Sequence, residues 1–234
     1  MRRLVEPEIL DELPPTDPQA NGSRADLRRL NYLMGHAGIL SRAFGRRLPQ
    51  STTAGARIRL VELGAGDGTL LLRLAREWSP LGVTADVTLL DRQQLVSEET
   101  HRSFAALDWS VECVAADVMN WLGQPGPRAD VMFANLFLHH FPDEVLAVLL
   151  RGVAARTRRF IACEPRRSRF ALNAARLLRL IGCNPVTRHD AVVSVRAGFG
   201  GRELSALWPA EAGWSLREHS AGWFSHCFVA GRND

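Results

Sequence analysis

The sequence predicts an α/β domain built on a mostly parallel sheet, and three observations carry that prediction. The first is Val61-Glu62-Leu63-Gly64-Ala65-Gly66-Asp67-Gly68-Thr69-Leu70, an apolar run, a glycine turn and a helix start in succession. Glycine has no Cβ and reaches backbone angles closed to other residues, so a ligand can lie against the main chain at such a turn. The second is the alternation of strand-like runs near 58–63, 84–90, 110–115, 129–135 and 158–164 with helical segments, as a parallel sheet covered on both faces requires. The third is size: 234 residues, 46% of them hydrophobic, can bury a core as one domain with a cap.

The elements follow in order. Residues 1–20 are rich in proline and acid (Pro7, Pro14, Pro15, Pro18) and predict an extended arm with one brief helix. Helical periodicity begins near Ser23, with Leu27, Leu30, Leu33, Met34, Ile39, Leu40, Phe44 and Leu48 on apolar faces, and Gly35 and Gly38 predict a break. This N-terminal arm and helical cap spans 1–55, and an α/β core with five strands spans 56–165. Pro142 and Asp143 mark a helix start after the fourth strand. An insertion at 166–209 follows, too long for a simple connection. It holds an apolar helix candidate (Phe170, Leu172, Leu177, Leu178, Ile181), a break at Gly182 and Pro185, a segment from Arg188 to Phe199, and a helix from Arg202 to Leu207. Residues 210–234 close the core with two strands, Trp214 to His219 and Trp223 to Ala230, joined by a hairpin around Ala221-Gly222.

The glycine turn departs from the dinucleotide fingerprint, because Thr69 stands where that pattern needs a small residue. Glu62 beside the turn suits a cationic ligand better than a pyrophosphate. Asp91 ends the second strand, where such folds set a carboxylate against ribose hydroxyls. Ala116-Asp117-Val118 follows the third strand, and Asn135-Leu136-Phe137-Leu138-His139-His140-Phe141 follows the fourth. Four motifs in this order across 58–165 resemble class I S-adenosylmethionine (SAM)-dependent methyltransferases of the small-molecule type, similar to those of quinone and polyketide pathways. The resemblance implies a Rossmann-like sheet of seven strands, its seventh antiparallel beside the fifth, and helices after the fifth strand that cover the substrate. It implies that SAM is bound and S-adenosylhomocysteine released, with cofactor contacts from Glu62, Gly64, Ala65, Gly66, Gly68, Asp91, Arg92, Asp117, Val118, Asn135 and Leu136. Asp91 would hold the ribose and Asp117 the adenine amino group.

Methyl transfer from a sulfonium is an in-line displacement, so the protein mainly aligns reactants and excludes water. An acceptor oxygen needs deprotonation, for which histidine is suited. His139 and His140 stand at the carboxyl edge of the sheet and are the first candidate bases; adjacent residues are not expected to face the methyl group together. His189 is second, with Asp190 badly placed to orient it, and His36 third. Tyr32, His36, His140 and His189 are the candidate acceptor contacts, and Glu164 orders the site or meets Arg166. Asn135 lacks the Pro-Pro-Tyr sequel of enzymes that methylate adenine or glutamine nitrogen. The expected reaction is O-methylation of a small, apolar phenol, quinol or polyketide-type acceptor. Carbon methylation of a quinol-like ring is the near alternative, followed by RNA methylation and a SAM-binding scaffold without turnover.

The net charge of +4 is carried by 29 arginines and no lysine, and the cluster Arg166-Arg167-Ser168-Arg169 lacks the interleaved aromatics of a nucleic-acid platform. A nucleic-acid partner is therefore not expected, and a homodimer is admitted. Cys113, Cys163, Cys183 and Cys227 are far apart without a Cys-x-x-Cys, so neither disulfide, zinc site nor other metal is expected. No run is long enough to cross a bilayer and no apolar signal core opens the chain, which predicts a cytoplasmic protein.

Overall fold

A computed structural model describes residues 1–45, 57–211 and 213–233. Its single sheet contains β1 (Ile58–Leu63), β2 (Ala85–Asp91), β3 (Ser110–Ala115), β4 (Ala129–Asn135), β5 (Thr157–Pro165), β6 (Trp214–Ala221) and β7 (Ser225–Arg232) in the order β3-β2-β1-β4-β5-β7-β6. β1 to β5 are mutually parallel, and β7 lies antiparallel between β5 and β6. The chain builds outward from β1 through β2 to β3, then returns to β4 on the other side. This reversal opens a crevice at the carboxyl ends of β1 and β4, the place where open α/β sheets bind ligands.

Strand period two feeds two cores. Leu60, Val131, Phe133 and Ile161 meet Phe44, Leu71, Trp78, Phe104 and Trp109 on one face. Val61, Leu63, Met132, Phe160 and Ala162 meet Leu146, Leu149, Val153, Leu204 and Trp208 on the other. The covering helices are α3 (His36–Phe44), α4 (Thr69–Trp78) and α5 (Glu98–Ala105) on the first face, with α6 (Val118–Gly123), α7 (Asp143–Arg156) and α10 (Glu203–Leu207) on the second.

The remaining helices roof the crevice: α1 (Ile9–Glu12) and α2 (Pro18–Leu33) from the N-terminus, α8 (Arg169–Arg176) and α9 (Pro185–Ala197) from the insertion. Polar contacts join the two halves of the roof. Buried Asp26 in α2 accepts from the Asn184 N–H at 2.8 Å and the Thr187 hydroxyl at 3.1 Å. Arg3 donates to the carbonyls of Ala197 and Phe141 at 2.8 and 2.9 Å, which straps the arm across the start of α7.

Several boundaries differ from the sequence reading. α2 begins at Pro18 rather than Ser23, because Asp17 accepts from the Gln19 and Ala20 N–H groups and proline fits the first helical turn. Gly35 adopts φ 68° and divides α2 from α3, whereas Gly38 lies within α3. The break expected at Gly182 and Pro185 is present, and α9 starts at Pro185, earlier than Arg188, with Asn184 as its cap. Leu177, Leu178 and Ile181 leave the helix: α8 stops at Arg176 and a 3₁₀ turn, Leu178–Ile181, follows. Leu48, and the part of the cap from 46 to 55, lie outside the described residues. All four cysteines are free thiols. Among the described residues no helix is long and apolar enough to cross a membrane.

Candidate functional site

Two adjoining cavities, of about 700 and 600 Å³, occupy the crevice. They share Glu8, Asp11, Gly64, Asp91, Arg92, Leu136 and His140. The larger adds Glu62, Ala65, Gly66, Asn135, His36 and His139, and the smaller adds Asp117 and Val118.

The glycine turn forms the common floor. Gly64, at φ 68°, hands its N–H to the Leu90 carbonyl at 2.9 Å, and a Cβ there would stand 2.3 Å from the Phe137 ring. At Gly66, φ 55°, a Cβ would meet nothing within 4 Å; it would project into the space a ligand needs. The Gly66 N–H is held by Asp91 Oδ2 at 2.8 Å, so the strand-end carboxylate shapes the turn from the neighbouring strand. Gly68 differs from its expected role as a cofactor contact. It lines neither cavity, and a Cβ on it would press on Leu89 at 2.8 Å, so it serves the packing of α4 on β2.

Three buried polar atoms at the larger cavity make no well-formed protein hydrogen bond: Glu62 Oε2, and Asn135 Oδ1 and His36 Nδ1, whose side chains neighbour each other. Buried polar groups are normally paired, so their convergence beside the glycine turn calls for a ligand with complementary donors and charge. Burial, then the neighbouring charges of Asp67 and Asp91, hold the Glu62 carboxyl well above its usual range. A cationic ligand would reverse that balance. Burial also pushes His36 down to about 4, so it is a neutral imidazole whose Nε2 meets Ser225 Oγ at 3.0 Å. At the other pole, Asp117 uses Oδ1 to cap α6, accepting from the Met119 and Asn120 N–H groups. The acidic and unpartnered groups along this crevice fit a cofactor of SAM's chemistry, in which Glu62 would face a cationic group, Asp91 hydroxyls and Asp117 the far end.

The loop after β4 is held from below. Leu136 adopts φ 53°, unusual for leucine, and turns the chain between Asn135 and Phe137. Buried Glu164 accepts from the N–H groups of Phe137 and Leu138 at 3.1 and 2.9 Å and from His139 Nδ1 at 2.8 Å. Its role is to order this loop. On the opposite side, His139 Nε2 lies 3.2 Å from Glu8 Oε1, a residue of the N-terminal arm. Burial alone would lower the His139 pKa, but its bonds to Glu164 and Glu8 outweigh that and raise it to about 9. Burial likewise opposes the charge on Glu8, yet the two histidines hold its carboxyl below the ordinary range.

The histidine candidates therefore separate. His139 has both ring nitrogens engaged and is no free base. His140 is partly exposed to both cavities, its Nε2 3.3 Å from Glu8 Oε2 but out of line for a hydrogen bond. Both neighbouring rings meet Glu8, because Leu138–His140 forms a tight 3₁₀ turn and the carboxylate enters between them. His189 is half-exposed outside both cavities and meets Asp190 Oδ1 at 3.0 Å, so the pairing judged unfavourable from sequence forms, away from the site. Tyr32 is 65% exposed and covered by Arg73 on its outer face. Arg24, Leu27, Arg28, Leu30, Asn31 and Leu33 of α2 line the larger cavity, with Met34 just beyond the helix end, and Tyr32 does not.

Sequence reasoning missed Glu8, Asp11 and Ser194. The Ser194 hydroxyl on α9 lies between Glu8 Oε1 and the Asp190 carbonyl, its one proton shared by the two acceptors, and thereby ties the arm to the insertion. No local pattern marks these residues, since each meets the site from far along the chain.

Residues 60–159 match the family profile of a methyltransferase domain. That stretch is similar to a methyltransferase domain over somewhat less than half of the chain. Solved structures give the same fold at low identity. The plantazolicin methyltransferase BpumL, in complex with S-adenosylhomocysteine, superposes with TM-score 0.65 at 13% identity over 93% of this chain and 92% of its own. The magnesium protoporphyrin IX methyltransferase ChlM of Synechocystis PCC 6803 gives 0.53 at 17%, over 86% and 83%. The mitomycin 7-O-methyltransferase MmcR gives 0.61 at 18%, over 96% of this chain and 60% of that one. No curated protein matches the sequence.

Proposed function

We propose that this protein transfers a methyl group from SAM to the hydroxyl of a small, largely apolar phenol, quinol or polyketide-type acceptor. The observation that carries the reading is the composition of the larger cavity. His140 and Glu8 stand at one end beside the cofactor-facing turn, and Leu27, Leu30, Met34, Ala171, Ala174, Leu178, Val195 and Phe224 wall the remainder. A flat apolar acceptor gains by burial against that wall and has one polar group to orient, for which the histidine and carboxylate are the available partners. The arm and cap as far as residue 45 and the insertion of 166–209 act as the acceptor cover, and the core binds the cofactor. Bound SAM supplies a methyl on a sulfonium, and the acceptor oxygen displaces it in line. The chain's part is to hold both reactants, keep water off the methyl group, and favour loss of the hydroxyl proton at the His140 end. The larger cavity sets Glu8, Asp11, Glu62, Asp67 and Asp91 against Arg24, Arg28 and Arg92, an excess of acidic groups that disfavours a polyanionic RNA acceptor.

The test is methyl uptake from isotopically labelled SAM across a panel of phenols and quinols, with product analysis to locate the new bond. An O-methyl product, and a fall of roughly 10²–10⁴ in kcat for His140→Ala at unchanged SAM affinity, are expected. A ring-methylated product, or full turnover by His140→Ala, overturns the assignment.

A further inference from the structure

Glu8, His139 and His140 offer one carboxylate and two imidazoles whose ligand atoms all lie within 4.8 Å of one another. From these residues we propose that the arm and the β4 loop together form a binding site for a divalent first-row metal ion, of the two-histidine, one-carboxylate type. The inference deepens the O-methylation reading and rests on it only for what the ion would do, not for its binding.

Three features set this cluster apart from a chance meeting of polar groups. The spacing is that of ligands: Glu8 Oε1 lies 3.2 Å from His139 Nε2 and Glu8 Oε2 lies 3.3 Å from His140 Nε2. Donors about 2.0–2.1 Å from a tetrahedral ion stand about 3.3 Å apart. Next, His139 already has the outer partner that metal-binding histidines use. Its Nδ1 bonds Glu164 at 2.8 Å, which fixes the ring so that Nε2 faces the cluster. Last, His140 Nε2 is buried without a hydrogen bond although it lies 3.3 Å from the same carboxylate, a ring nitrogen that the protein leaves unpaired.

Charge favours the same occupant. Glu8 and Glu164 are both buried, and a protonated His139 between them would leave one negative charge in excess; a divalent ion on neutral histidines balances both. Asp11, with Oδ2 4.0 Å from His140 Nε2, stands close enough to add a further ligand or a water contact. Glu8 and His140 also line both cavities, so one face of the ion would be open to the acceptor. There an acceptor hydroxyl would bind as the oxyanion with its proton released to water. An oxygen lone pair then forms the new carbon–oxygen bond as the carbon–sulfur bond breaks, leaving its electron pair on sulfur as a thioether.

The experiment is titration of the full-length, chelator-treated protein with Co²⁺, read by its visible ligand-field absorbance, and with Zn²⁺, read by calorimetry, without any acceptor. One saturable equivalent is expected. Glu8→Gln and His140→Asn should weaken it by more than the roughly 10–100-fold that loss of an outer partner causes, and Glu164→Gln by about that amount. His189→Ala should leave it unchanged. Retained SAM-product binding by each variant shows that it is folded. Absence of saturable binding, or binding that survives both Glu8→Gln and His140→Asn, overturns the proposal and leaves the cluster held by the His139 proton alone. Because no acceptor is present, these results do not depend on whether O-methylation is found. Activity that persists in chelator would overturn the ion's chemical role while leaving the binding site.

Discussion

Glu62 combines burial with an unpartnered oxygen at the floor of the larger cavity, and burial holds its carboxyl well above the usual range. An arriving ammonium or sulfonium would stabilise the carboxylate and so lower that pKa on SAM binding. Glu62→Gln keeps the shape and removes the charge. Its loss of SAM affinity is expected at about 1.5–3 kcal/mol, the worth of a hydrogen bond to a charged partner, by calorimetry. An unchanged affinity would place the ammonium elsewhere. The two most perturbed histidines set opposite limits on stability. His36 has its pKa depressed from 6.5 to about 4, so its contribution is present above 6.5 and lost as pH falls through 4. His139, in metal-free protein, is raised from 6.5 to about 9, so its contribution is full below 6.5 and lost as pH rises through 9. Melting temperature in chelator should therefore decline on both sides of about 6.5 as far as these groups act. Glu8→Gln should flatten the alkaline limb alone, because it removes one of the two carboxylates that hold the His139 proton. An alkaline limb identical to wild type would show that His139 does not titrate there.

At the scale of elements, the glycine turn divides into positions that serve the fold and a position that serves the ligand. Gly64→Ala drives a Cβ against the Phe137 ring at a positive φ and should destabilise the protein by roughly 1–3 kcal/mol, read in denaturant. Gly66→Val has open space around it, so most of its effect should be lost SAM affinity, with a smaller stability cost of about 1–2 kcal/mol from the left-handed backbone. Equal effects of the two substitutions on binding would contradict this division. What made the turn legible is that strand, glycines and helix start are consecutive residues, and the same holds for β1 to β5, whose runs match the observed strands to within about two residues. The roof was less legible for a physical reason. α2 begins early because one side chain, Asp17, captures two N–H groups, and a single cap outweighs the apolar spacing that suggested Ser23. Tyr32 and His189 were assigned to the site as residue types, but helix phase, decided by packing of α2 and α9, turned both outward.

At the scale of the whole molecule, the site exists because distant segments converge on one edge of the sheet. Glu8 meets His139 across 131 residues and Ser194 across 186, distances along the chain at which no local pattern operates. That is why the cofactor floor, built from strand ends, could be read in advance and the acid–imidazole cluster could not. The same convergence makes cofactor binding a property of overall stability. A ligand that spans Asp117 to Glu62 and touches arm, core and roof should stabilise the folded state by mass action, about 2.7 kcal/mol at a hundredfold excess over its dissociation constant. For a domain of this size that corresponds to roughly 5–10 °C in melting temperature. S-adenosylhomocysteine should produce this shift in the wild type. Asp91→Ala should melt lower without ligand, since the Gly66 N–H loses its acceptor, and should show little further shift when the product is added. A full shift in that variant would mean that Asp91 shapes the turn without holding the ribose, and the floor of the crevice would then bind through backbone and shape rather than through this carboxylate.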